Sequence, residues 1–186
     1  VRFFGGWDFP ADLCGDGDFV AKGYALGVPM GGDLPVRPEG AQPTFAVFAL
    51  RDAGVPEYPG GLLQRVQIVK VWAEDGASRE EVFDVAGDSN SRATVDDRTC
   101  TVRGEGFDKL CSVWTDTTFV PEQRALYYVR VLENPSCRWS TFVCNEAGVD
   151  CSDPDTVREG FEACCAPETK RTIQERAWTS PIWYEK

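Results

Sequence analysis

The sequence predicts a mainly β protein, an antiparallel β-sandwich-like body with short helices and a disulfide-rich irregular carboxyl-terminal segment. Three observations carry that prediction. From Thr44 to Glu133, runs rich in valine, phenylalanine, tyrosine and tryptophan alternate with glycine and charged clusters, the signature of strands joined by turns. Residues 1–43 hold thirteen glycines or prolines before Gln42, a density of turn chemistry that interrupts long regular elements. Five of the eight cysteines fall after Asn134, in a stretch without strand or helix periodicity.

The chain of 186 residues and 20.6 kDa fits one domain. Its parts are a Gly/Pro-rich arm at 1–43, a β-sheet core at 44–133, and a cysteine-rich segment with a closing strand at 134–186. Within the arm the spacing predicts one helix over Phe19–Leu26, with Asp18 to cap it and Gly27 to stop it. TFAVFAL at 44–50 is apolar on both alternating faces and reads as a central strand. In RVQIVKVW at 65–72, Val66, Ile68 and Trp72 share one face. EEVFDVA at 80–86, RTCTVR at 98–103, KLCSVW at 109–114 and ALYYVRVL at 125–132 complete six strands, the last requiring a partner for Arg130 or its exit to solvent. Beyond them the sequence predicts a helix over Pro154–Cys164, capped by Ser152 or Asp153. The closing IQERAWTSPIWYEK is extended and is expected to rejoin the sheet.

Composition removes several function classes. A formal charge of −11 repels phosphate backbones and anionic membrane surfaces, so neither nucleic acid nor membrane is an expected partner. No apolar run reaches the roughly 20 residues of a membrane helix. With zero histidines, an imidazole-based triad or a histidine metal site is excluded. The first residues lack an initiator methionine and the features of a signal peptide, and the expectation is a fragment of a longer protein.

The cysteines lie at 14, 100, 111, 137, 144, 151, 164 and 165. Their even count points to an oxidising compartment, periplasmic or secreted, and the absence of C-x-x-C favours disulfides over zinc. Cys100 and Cys111 flank RGEGFDK on consecutive predicted strands and are the expected pair. Adjacent Cys164 and Cys165 are expected to take two different partners among Cys14, Cys137, Cys144 and Cys151.

Two acidic clusters, one with Asp16 and Asp18 and one with Asp150, Asp153 and Asp155, offer oxygen ligands of the kind calcium takes. Neither matches the twelve-residue calcium loop, and turns and caps are the commoner use of such residues. Paired carboxylates can run glycoside hydrolysis without histidine, although thirty acidic residues give no particular pair priority. Of the tryptophans at 7, 72, 114, 139, 178 and 183, Trp72 and Trp114 sit on strands among apolar neighbours and are expected inside. Trp7, Trp139, Trp178 and Trp183 lie in irregular segments, where they suit a sugar-stacking stripe or an interface. GVPMGGDLP lacks the lysine and following Ser or Thr of a phosphate loop and reads as a tight turn. Ser180 and Lys170 have no visible activating neighbour.

RFFGGWDF at 2–9, GVPMGGDLP at 27–35, QIVKVW at 67–72, VWTDTTFVPEQRALYYVRVLENPSCRW at 113–139 and IQERAWTSPIWY at 173–184 together resemble the carboxyl-terminal part of the bacterial Domain of Unknown Function 3604 family. The resemblance spans nearly the whole chain. It implies a parent several times longer, whose amino-terminal part carries histidine-rich phrases similar to those of metal-dependent polymerase-and-histidinol-phosphatase-type hydrolases. It assigns no catalytic residue, cofactor or metal ligand to this chain, which becomes a non-catalytic domain packing against the amino-terminal domain of the same parent. Trp7, Asp33, Arg176 and Trp178 are the residues expected to line that interface or a cleft, and the same patch suits a homodimer. The alternatives are a secreted carbohydrate- or peptide-binding module and a carboxylate-dependent glycosidase-like hydrolase.

Overall fold

A computed structural model describes residues 1–56 and 58–185. The chain begins with β1 (Arg2–Gly6), the helix α1 (Phe19–Leu26), β2 (Gly27–Pro29), β3 (Thr44–Leu50) and a small hairpin of β4 (Gly54–Val55) with β5 (Tyr58–Pro59). The long strands β6 (Leu63–Glu74) and β7 (Ala77–Gly87), the short pair β8 (Thr94–Asp96) and β9 (Thr101–Arg103), and then β10 (Lys109–Thr115) and β11 (Ala125–Glu133) follow. The remainder holds β12 (Ser136–Cys137), the helix α2 (Trp139–Glu146), β13 (Thr172–Ile173), β14 (Arg176–Trp178) and β15 (Ile182–Tyr184).

Two antiparallel sheets make the body. One runs β10–β3–β1–β2; the other runs β7–β6–β11, with β14 and β15 pairing in succession along the far edge of β11. Pleating sends alternate side chains to opposite faces. Phe3, Phe45, Val47 and Ala49 of the first sheet therefore meet Val66, Ile68, Tyr127, Val129, Val131 and Ile182 of the second, all buried in one cluster, with the Phe45 and Tyr127 rings 4.4 Å apart. On the opposite face of the first sheet, Phe4 and Ala46 are covered by Phe9, Leu13 and Phe19. Covering on both sides is why TFAVFAL is apolar throughout.

The segment before Thr44 differs from the arm expected there. Phe3 and Phe4 point to opposite faces of an inner strand and are each 1 % exposed. Several glycines here permit close approach of backbones: a Cβ at Gly27 would lie 2.2 Å from the Gly5 carbonyl oxygen. The helix over Phe19–Leu26 has the expected bounds, but the Asp18 side chain makes no capping hydrogen bond. Trp72 and Trp114 are half-buried against the main cluster rather than fully interior.

The disulfides are Cys14–Cys111, Cys100–Cys137, Cys144–Cys164 and Cys151–Cys165. The expected Cys100–Cys111 bridge is thus corrected. β9 pairs with β8 and not with β10, while Cys111 packs with the layer over the first sheet, where Cys14 follows Leu13. Cys164 and Cys165 do take different partners. The expected helix over 154–164 is two 3-10 turns, Pro154–Thr156 and Glu162–Cys165, separated by Gly160 at φ +89°. The helix of this region is α2, from whose last turn Cys144 reaches Cys164. As expected, the closing segment rejoins the sheet, pairing with β11.

Candidate functional site

GVPMGGDLP, which reads as a tight turn, and the RAWTSPIWY part of the closing segment lie against each other. Gly31 N–H donates to Pro181 O at 2.8 Å, Trp183 N–H to Gly32 O at 3.0 Å and Leu34 N–H to Trp183 O at 2.7 Å, with Asp33 opposite Trp183 in a parallel bridge. This seam ties the edge of one sheet to the edge of the other. Trp7 seals it: its indole N–H donates to Pro35 O at 3.0 Å, and its half-buried ring meets those of Phe119 and Tyr184 edge-on. Trp7 and exposed Asp33 therefore belong to the seam, whereas Arg176 and Trp178 lie on β14.

The outer face of the second sheet is buried at its middle, where Val69, Leu132 and Gln67 are 1 %, 5 % and 6 % exposed, and carries exposed aromatic residues along β14 and β15. Residues paired across antiparallel strands share a face, so the register arranges this face in rows. One row is Trp178, Arg130, Gln67 and Asp84 across four strands. Gln67 bridges its neighbours, donating from Nε2 to Asp84 Oδ1 and accepting from Arg130 Nε, both at 2.8 Å. Arg130 thereby gains the partner its position in a strand requires. The row on one side holds Arg176, Leu132 and Arg65. On the other side stand Tyr128, Val69 and Val82, and then Trp183, Leu126, Val71 and Glu80. Trp178 is 64 % exposed and Trp183 42 %. Their partners on β11, Arg130 and Leu126, are four residues apart, a span of about 13 Å along a strand. Beside Trp183 a groove of about 430 Å³ is lined by Val71, Trp72, Arg124 and Leu126.

The buried ion pair, the cysteines and the two acidic clusters are engaged internally. Lys70 Nζ lies 2.7 Å from Asp116 Oδ2, the same oxygen that accepts from Tyr127 Oη at 2.7 Å, and Asp116 Oδ1 accepts from the Thr118 amide and hydroxyl. Burial pushes the Asp116 carboxyl up, but hydrogen bonds from Lys70, Tyr127 and Thr118 and the Lys70 charge outweigh it and leave the group below its ordinary value. Among the described residues no cysteine is free and no three His, Cys, Asp or Glu side chains gather as metal ligands. Asp16 pairs with Lys22 and accepts from the Asp18 amide. Asp150 accepts from Ser152, and Asp153 accepts from the Asp155 amide at the start of a 3-10 turn. These acidic clusters shape turns. Two carboxylates, Asp88 and Glu105, border a separate polar hollow of about 330 Å³, where Asp88 accepts from the Asn90 amide.

Trp139, expected at an interface, is 77 % exposed at the start of α2, and Phe142 and Val143 at the next turn are 48 % and 45 % exposed. Sequence reasoning singled out Trp178, Trp183 and Arg176 but missed Gln67 and Tyr128. The signal for Tyr128 was present in ALYYVRVL, where Leu126, Tyr128 and Arg130 alternate with the core positions; which face turns away from the first sheet was not.

A family model described as protein of unknown function (DUF3604) matches residues 1–186, the whole chain. No curated protein matches and no solved structure matches. The chain belongs to the DUF3604 family.

Proposed function

We propose that this DUF3604 member is a non-catalytic β module of a larger exported bacterial protein, placed at its carboxyl-terminal end, working in the periplasm or outside the cell. The observation that carries this reading is the aromatic and arginine-bearing side of the second sheet's outer face, with Trp178 and Trp183 exposed, on a body whose lysine–aspartate pair and thiols are consumed internally. Four disulfides suit an oxidising compartment. The partner in this reading is the amino-terminal domain of the same polypeptide, a metal-dependent hydrolase domain. The stripe of Trp139, Phe142 and Val143 on α2 supports such packing, because residues three and four apart share one helix face.

The test compares this chain with a longer polypeptide carrying the upstream region, assayed on phosphate and sulfate esters with and without divalent metal. Turnover confined to the longer, metal-loaded protein is the expected result. Turnover by the 186-residue chain alone would overturn the reading and direct attention to Asp88 and Glu105.

A further inference from the structure

The geometry points to the Trp178 end of the outer sheet face as a binding site for an acidic sugar chain, one bearing carboxylate or sulfate groups. The inference deepens the proposal of a non-catalytic module and rests on it, since it names what that face holds.

In a chain of net charge −11, the register places Arg176, Arg130 and Arg65 in two adjacent rows of one face, with Asp84 as their acidic neighbour there. Arg65 is engaged by Asp84 at 3.5 Å and by Ser89 O. Arg130 spends Nε on Gln67, and its Nη groups have no partner among the described residues. Exposed Arg176 forms no ion pair among the described residues. Two guanidinium groups are therefore available, and a guanidinium matches the oxygens of a carboxylate or sulfate bidentately.

Trp178 is the direct neighbour of Arg130 across the strand pair, presenting a broad apolar ring at the edge of a hydrogen-bonding row. A sugar ring has an apolar C–H face and polar edges, so stacking on Trp178 leaves its hydroxyl and acidic groups beside Arg130 and Arg176. Trp183, about 13 Å further along the face, offers a second ring to the same extended ligand.

An acidic peptide would share the charge but would draw on an open strand edge for main-chain hydrogen bonds. Here β14 and β15 hold three residues each, and Pro181 between them has no N–H to give. This edge, beside Trp178, offers little to a peptide, and the longer edge strand β7 lies across the sheet from Trp178, while two rings spaced along the face suit a sugar chain.

The test is affinity electrophoresis of the oxidised chain through gels containing polygalacturonate, a sulfated galactan, a neutral galactan or poly-glutamate, each with a turnover assay on the same sample. Retardation by one or both acidic polysaccharides is expected, the carboxylated and sulfated arms identifying the acidic group. Trp178→Ala and Arg176→Ala are each expected to weaken it roughly tenfold, and added salt to weaken it further. Both positions are solvent-exposed, and a far-ultraviolet circular dichroism spectrum checks each variant's fold. No retardation by either acidic polysaccharide would overturn the inference, as would equal retardation of wild type and Trp178→Ala, equal affinity for the neutral galactan, or preference for poly-glutamate. Hydrolysis of the bound chain would instead overturn the non-catalytic reading and leave the ligand class standing.

Discussion

Lys70 and Asp116 form an ion pair at 2.7 Å whose side chains are 3 % and 0 % exposed. The pair survives burial because each remaining valence is used: Asp116 also accepts from Tyr127 and Thr118, and Lys70 donates to Thr118 O at 3.2 Å. Removing one partner strands the other charge in the interior, so Lys70→Met and Asp116→Leu are each expected to cost about 3–5 kcal/mol. The double variant should lose much less than the sum, because it leaves no unpaired charge. Denaturant unfolding of the two singles and the double measures this coupling; additive losses would contradict it.

The same cluster contributes a pH dependence to stability at both ends of the range. Asp116 is held below its ordinary value, so the stability it contributes is present above an unfolded value of about 3.9 and is lost as pH falls through the lower folded value. Tyr127 is pushed above its ordinary value by burial, and then by its hydrogen bond to Asp116 and that group's charge. Its contribution is present below the unfolded value of about 10 and declines as pH rises beyond it. Thermal unfolding from acid to alkali is expected to show both declines, and Tyr127→Phe should flatten the alkaline one.

Glu133 behaves in the opposite sense to Asp116. Burial, with Glu175 and Asp52 nearby, raises its carboxyl above the ordinary value, so its ionisation opposes folding at neutral pH. Glu133→Gln is expected to raise the melting temperature at about pH 7 and to have little effect below about pH 4, where both states are protonated. A destabilised variant at neutral pH would refute this.

Cys14–Cys111 spans 97 residues and Cys151–Cys165 spans 14. In the chain-entropy account, removing the first bridge by paired serine substitution should cost about 1.7 kcal/mol more than removing the second. Non-reducing peptide mass spectrometry should recover Cys14 linked to Cys111 and Cys100 linked to Cys137.

Gly27→Ala would place a Cβ 2.2 Å from the Gly5 carbonyl oxygen, forcing β1 and β2 apart. A loss of about 1–3 kcal/mol is expected, measured by denaturant unfolding against Gly17→Ala, where a Cβ would meet no atom within 4 Å and φ is not positive.

The strands with apolar alternation, Thr44–Leu50 and Ala125–Glu133, were legible because each buries a face over its whole length. β1 was obscured by glycines that read as turn formers and serve instead to let neighbouring atoms approach. α2 escaped because it is only 8 residues long and its N-cap, Arg138, makes no side-chain capping hydrogen bond. The false helix over 154–164 ignored Gly160, whose φ of +89° breaks it. Cysteine spacing indicated disulfides but could not pair Cys14 with Cys111, because that bridge depends on the layer packed over the first sheet. Arg176 and Trp178 were candidates through the closing RAWTSPIWY phrase, while their placement on one face with Arg130 depends on the pairing of β14 with β11. Gln67 was not, because its place between Arg130 and Asp84 depends on the register of three strands.

The outer face of the second sheet is the working surface of a catalytically silent module in this reading. Oxidative footprinting of tryptophans in the intact chain, with and without acidic polysaccharide, tests this most directly. Trp178 and Trp183 should oxidise readily in the free protein and become protected by the polysaccharide, while Trp139 on α2 stays reactive in both. Unchanged oxidation of Trp178 at saturating polysaccharide, or protection confined to Trp139, would contradict the account.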